Sequence, residues 1–77
     1  MTLSNELTAE TKRQYNDTIK CFALVGMGFV GVFKTKETVA KVSKEWMKAL
    51  NGKTRRIEKE FNDNDEFVGY KLTVLYN

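Results

Sequence analysis

The sequence predicts an α+β fold: a four-stranded, mainly antiparallel sheet in the order β-β-α-β-β, with one amphipathic helix packed on one face. Three observations carry this. Residues 18–33 and 54–76 are rich in strand formers, and each stretch is interrupted by a turn cluster. Between them, apolar residues recur at helical spacing. The chain has 77 residues, enough for one domain and one core.

The first segment, residues 1–17, is polar, with Leu3, Leu7 and Tyr15 loosely spaced as on a weak helix. Ser4 or Thr8 could cap it. A short helix and a mobile arm both fit this stretch, and the globular domain is expected over 18–77. In TIKCFALV, Ile19, Cys21, Ala23 and Val25 alternate with Phe22 and Leu24. FVGVF follows after Gly26, Met27 and Gly28, so the two runs read as a hairpin around a glycine loop.

KTKETVAKVSKEWMKALNG is the clearest element. Thr35 is suited to the N-cap and Asn51-Gly52 to the stop. Val39, Val42, Trp46, Ala49 and Leu50 share one face, which places Trp46 in the core. Lys41, Lys44 and Lys48 line the opposite face, near Glu37 and Glu45. TRRIEKEF then reads as a charged strand, NDNDE as a turn and FVGYKLTVLY as a strand. In the last of these, Val68, Tyr70, Leu72, Val74 and Tyr76 alternate with Gly69, Lys71 and Thr73.

Four motifs invite chemistry. Gly26, Gly28 and Gly31 spell G-x-G-x-x-G, which resembles a dinucleotide-binding fingerprint. That chemistry needs a helix to start directly after the glycines, so that its N-terminus holds the pyrophosphate. Here VFKTKE intervenes, and Glu58, the nearest acidic candidate for a ribose contact, lies 32 positions beyond Gly26. Val39-Ala40-Lys41 echoes the lysine strand of protein kinases, but it falls inside the helix, with no catalytic-loop motif after it. The glycines are therefore expected to make a turn, with Gly26 and Gly28 at positive φ and Gly31 admitting the helix or Trp46 close to the sheet. Asp63, Asn64 and Asp65 are hard oxygen donors, but Val68 and Val74 stand where a calcium loop of this type needs glycine and glutamate. Cys21, the one cysteine, has no histidine to activate it and sits in an apolar run that raises a thiol's pKa. No enzyme activity, cofactor or metal is expected.

Charge is the remaining signal. The net charge is +3, but from Lys34 to Arg56 eight basic residues stand against two acidic ones, while Glu58 to Glu66 holds five acidic residues against one lysine. A basic surface of Lys41, Lys44, Lys48, Arg55 and Arg56 suits either a protein partner or nucleic acid. The longest apolar-rich stretch, Cys21 to Phe33, is broken by glycines and too short to span a bilayer, so no membrane association is expected. The N-terminal residues carry no basic-then-apolar signal, and the lone cysteine suits a reducing, cytoplasmic setting.

One feature of the patterning points to a partner. The first hairpin is apolar on both sides: Phe22 and Leu24 against Ile19, Cys21 and Val25, and Val30 and Val32 against Phe29 and Phe33. One helix covers one face. The other face must be covered by the N-terminal segment, through Leu3, Leu7 and Tyr15, or by another molecule, with Phe22 and Leu24 as its apolar contacts. The function expected is a small non-enzymatic protein that docks on a protein partner as a regulator or inhibitor, of the kind viruses and mobile elements encode. The alternatives are a nucleic-acid-binding module using the basic helix face and a homodimer that buries the second face on itself.

Overall fold

A computed structural model describes residues 3–76, with side chains from Glu6 to Tyr76. The elements run α1 (Leu3–Gln14), β1 (Thr18–Leu24), β2 (Gly28–Phe33), α2 (Lys36–Ala49), β3 (Thr54–Phe61) and β4 (Phe67–Leu75). The four strands form one sheet in the order β1-β2-β4-β3, and all three pairings are antiparallel. The fold is α+β, as the alternation predicts, and the N-terminal segment supplies a second helix beside the amphipathic one. It reads as two successive α-β-β units whose second strands meet at the centre of the sheet.

The α2 helix forms where its caps and its apolar stripe coincide. The Thr35 hydroxyl accepts from the Thr38 N–H at 3.3 Å and so satisfies one free amide of the first turn. At the other end Asn51 adopts a left-handed conformation (φ 51°), and the Gly52 N–H reaches back to the Met47 carbonyl at 2.9 Å. Val39, Val42, Ser43 and Trp46 are buried, whereas Ala49, expected on the same face, is exposed. Val39, Val42 and Trp46 pack on Phe29, Phe33, Leu72 and Val74 of the central strands. The Trp46 ring lies 5.6 Å from Phe29 and 6.3 Å from Phe33, both tilted towards edge-on.

The G-x-G-x-x-G stretch makes a turn, as expected, with one correction. Gly26 has φ 69° in the hairpin loop, and Met27 N–H closes that loop on the Leu24 carbonyl at 3.1 Å. Gly28, expected at positive φ as well, instead starts β2 and is there for close approach: a Cβ on it would overlap the Val74 carbonyl oxygen. At Gly31 a Cβ would lie 2.6 Å from the Phe33 ring and 3.0 Å from Trp46, so its absence lets both rings seat on the sheet. In the second hairpin, Asn62 Oδ1 accepts the Asn64 and Glu66 amides at 2.8 and 3.0 Å. Its side-chain oxygen is thereby committed to the turn.

The helix α1 lies beside α2, on the same face of the sheet. Three hydrogen bonds hold it there. The Trp46 indole N–H donates to Thr11 Oγ1 at 3.1 Å, the Tyr15 hydroxyl donates to Glu45 at 2.7 Å, and the Cys21 thiol donates to the Thr8 carbonyl at 3.4 Å. Leu7 and Tyr15 pack against the shared core. This placement keeps the described part of the segment off the second face. The parts assigned to Leu3 and to a Ser4 cap fall outside the described side chains.

Candidate functional site

With both helices on one side, the opposite face of the sheet has no element of the described chain across it. Strand register sets which side chains share this face. Phe22 stands opposite Val30, and Val30 opposite Thr73, which faces Arg56 on the other edge. The next row runs Lys20, Val32, Lys71, Glu58, and the row on the other side runs Leu24, Gly28, Leu75, Thr54. One half of the face is apolar and the other half polar.

Val30 and Val32 are nearly inaccessible although no helix lies over them. Their neighbours on the flanking strands account for this. Phe22 and Thr73 stand beside Val30, and Lys20 and Lys71 beside Val32. Lys20 reaches from the first edge strand to within 4.0 Å of Glu60 on the far edge strand. That span lays its hydrocarbon stem across the sheet while the ammonium stays wet. At Gly69 a Cβ would meet the Phe33 carbonyl oxygen at 2.5 Å and the tip of Ile19 at 3.0 Å, so glycine there lets the end of β2 and Ile19 close in.

The apolar edge is open. Ile19 and Phe22 keep 42% and 45% of their surface exposed, and Val25 in the adjacent loop is 97% exposed. The strict alternation expected for β1 fails at its start. The register shifts between Thr18 and Lys20, so Ile19 is a bulge residue whose tip lies beside Gly69 on the open face, not with Cys21. Val25 is likewise a loop residue and belongs to neither face. Phe22 and Leu24 fall on the open side, as expected.

Across the trough, Thr54, Arg56, Glu58, Lys71, Thr73 and Leu75 surround a shallow depression of about 340 Å³. Arg56 lies 4.0 Å from Glu58, which is also the cross-strand neighbour of Lys71. Lys71 itself forms no ion pair among the described residues. Lys71 and Ile19 had not stood out in the sequence as site residues. Alternation places Lys71 beside Thr73, but only the strand order brings both next to Val30 and Phe22.

The basic set is divided by the fold. Lys41, Lys44 and Lys48 are exposed on α2, and Arg55 joins them by donating to Ser43 Oγ at 3.1 Å. Arg56, one residue on, points to the open face on the other side of the sheet. Glu45 is engaged with Tyr15, whose hydroxyl is pushed up to about 12 by burial first and then by that carboxylate. The five cations therefore do not make one surface.

Cys21 lies beneath α1, and burial pushes its thiol pKa above the ordinary value despite the opposing pull of Lys12. Asp17, at the junction before β1, behaves differently. Burial pushes its pKa up, but hydrogen bonds from Thr35 and Thr38 outweigh this and hold it below the usual carboxylate value. Both arrangements read as parts of the scaffold. Among the described residues no group of three or more acidic, cysteine or histidine side chains is placed to hold a metal ion, and no helix is long and apolar enough to cross a membrane. Comparison with protein-family models, curated proteins and solved structures finds no match.

Proposed function

We propose that this is a non-enzymatic docking protein that binds a protein partner through the open sheet face, with Phe22 and Leu24 at the centre of the apolar contact. One observation carries the reading: both helices pack on the same side, leaving half-exposed Ile19 and Phe22 beside buried Val30 and Val32. A small chain with a rigid sheet and one bare, half-apolar face is built to be covered. Such a scaffold suits a regulator or inhibitor, including those encoded by viruses and mobile elements. It needs no catalytic group.

Capture from a lysate of the source organism or its host, with and without nuclease, tests this. A defined protein that survives nuclease and is lost with Phe22→Asp supports docking through this face. Retention by Phe22→Asp overturns it. The rival reading, nucleic-acid binding, is favoured by the placement of Arg55 beside the α2 lysines. It requires binding that falls steeply with salt and is lost when Lys41→Glu is combined with Lys48→Glu. Burial of the face on a second copy predicts a sedimenting mass of twice 8.9 kDa that Phe22→Asp returns to the monomer.

A further inference from the structure

We infer that the occupant of the open face is an acidic amphipathic helix of the partner, laid along β2 and β4 with its apolar stripe towards Phe22 and Leu24 and a carboxylate on Lys71. This rests on the docking reading above and identifies what docks.

The first argument is shape. On the open side of the central strands the floor is Gly28, Val30 and Val32 on β2 and Gly69 and Thr73 on β4, with the Lys20 stem lying across it and Lys71 and Leu75 standing on the β3 side. Longer ones rise on either edge, with Phe22 and Leu24 on β1 and Arg56 and Glu58 on β3. Three strand spacings put those edges about 14 Å apart. A helix with its side chains is about 10 Å across and fits between them. The opposite face of the same two strands already holds α2, through Val39, Val42 and Trp46 packed on Phe29, Phe33, Leu72 and Val74.

The second argument is charge. The face presents Lys20, Arg56 and Lys71 against Glu58 and Glu60. Both carboxylates are matched, Glu60 by Lys20 and Glu58 by Arg56, each at 4.0 Å. Lys71 is left over, half-buried at the edge of the depression with no counter-ion among the described residues. Covering it with an apolar surface would strand an ammonium, so the cover must bring an acid. The net charge of +3 steers the same class of partner. A second copy would bring Glu58 and Glu60 already matched by Arg56 and Lys20, and a second unmatched Lys71. Single-stranded nucleic acid would meet two carboxylates that repel phosphate, Glu58 and Glu60.

The test is an amide chemical-shift titration of the full chain with two synthetic helical peptides of about 16 residues. Both carry the same leucine stripe, one with glutamate margins and one with lysine margins; oligothymidine is a third probe. The expected result is saturable shifts at Phe22, Val30, Lys71 and Thr73 with the acidic peptide, which binds about tenfold tighter than the basic one. Lys71→Glu should abolish or reverse that preference. Lys71→Met should abolish it without placing a carboxylate on the face. Equal binding of the two peptides, shifts confined to Lys41, Lys44 and Lys48, tighter binding of oligothymidine to the sheet, or no shift on this face each overturns the inference. A captured partner that is lost with Phe22→Asp but retained equally by Lys71→Glu and Lys71→Met removes the acidic helix and leaves the docking face standing.

Discussion

Replacing Thr11 with valine tests the contact that decides which face α1 covers. Thr11 is buried, and its Oγ1 accepts the indole N–H of Trp46, which has no exposed surface. Valine keeps the β-branched shape and a similar helix propensity but offers no acceptor. The indole donor would then be buried without a partner, at a cost of about 1–3 kcal/mol. Since each kcal/mol lowers the melting temperature of a domain this size by about 4–8 °C, the expected loss is about 5–20 °C. Denaturant titration gives the free energy, and labelling of Cys21 gives a second readout. That thiol is buried and bonded to the Thr8 carbonyl, so a thiol reagent reaches it only when α1 lifts or the domain opens. The same free energy predicts labelling about 5- to 150-fold faster. In a Trp46→Phe background, which has no indole donor, the added loss from Thr11→Val should shrink to that of the Thr11 hydroxyl's own bond to the Leu7 carbonyl, about 0.5–1.5 kcal/mol. Wild-type stability and wild-type labelling in Thr11→Val would refute the placement of α1. It would also remove the reason for calling the other face open.

Two other expectations concern the scaffold. Gly28→Ala should destabilise far more than Gly26→Ala in denaturant titrations, because a Cβ at Gly28 overlaps the Val74 carbonyl, whereas at Gly26 it meets open space and faces only the strain of φ 69°, about 1 kcal/mol; equal losses would contradict the close approach of β2 to β4. The carboxyl of Asp17 is held below its unfolded value, so its contribution is complete above the ordinary aspartate range near about 3.9 and is lost as pH falls through the lower folded value. The Asp17→Asn variant should therefore lose less stability than wild type in that acid window, read as melting temperature against pH; parallel curves would show that Thr35 and Thr38 do not stabilise the carboxylate.

Much of the fold was legible because alternation and helical period are local signals. Thr35, Asn51 and the stripe through Trp46 define α2 from neighbouring residues alone. The two faces of β4 follow from its alternation, Leu72 and Val74 inward, Lys71 and Thr73 outward. The bulge at Ile19 was not legible, since TIKCFALV alternates without a break and only pairing with β2 shows the extra residue. The basic set failed as a unit for a related reason. Arg55 and Arg56 are neighbours in the chain, but successive strand residues point to opposite faces, so one joins α2 and the other the open side.

The sequence by itself determined that the first hairpin is apolar on both sides and that α2 could cover only one of them. Whether α1 took the second face was a tertiary decision. Leu7 and Tyr15 suit either side, and the weak stripe of α1 does not choose. The buried Trp46 indole does choose, because it needs an acceptor and Thr11 supplies one only with α1 beside α2. The strand order β1-β2-β4-β3 then set Phe22 and Lys71 on the same uncovered surface. That juxtaposition is long-range in the chain, and no local period encodes it.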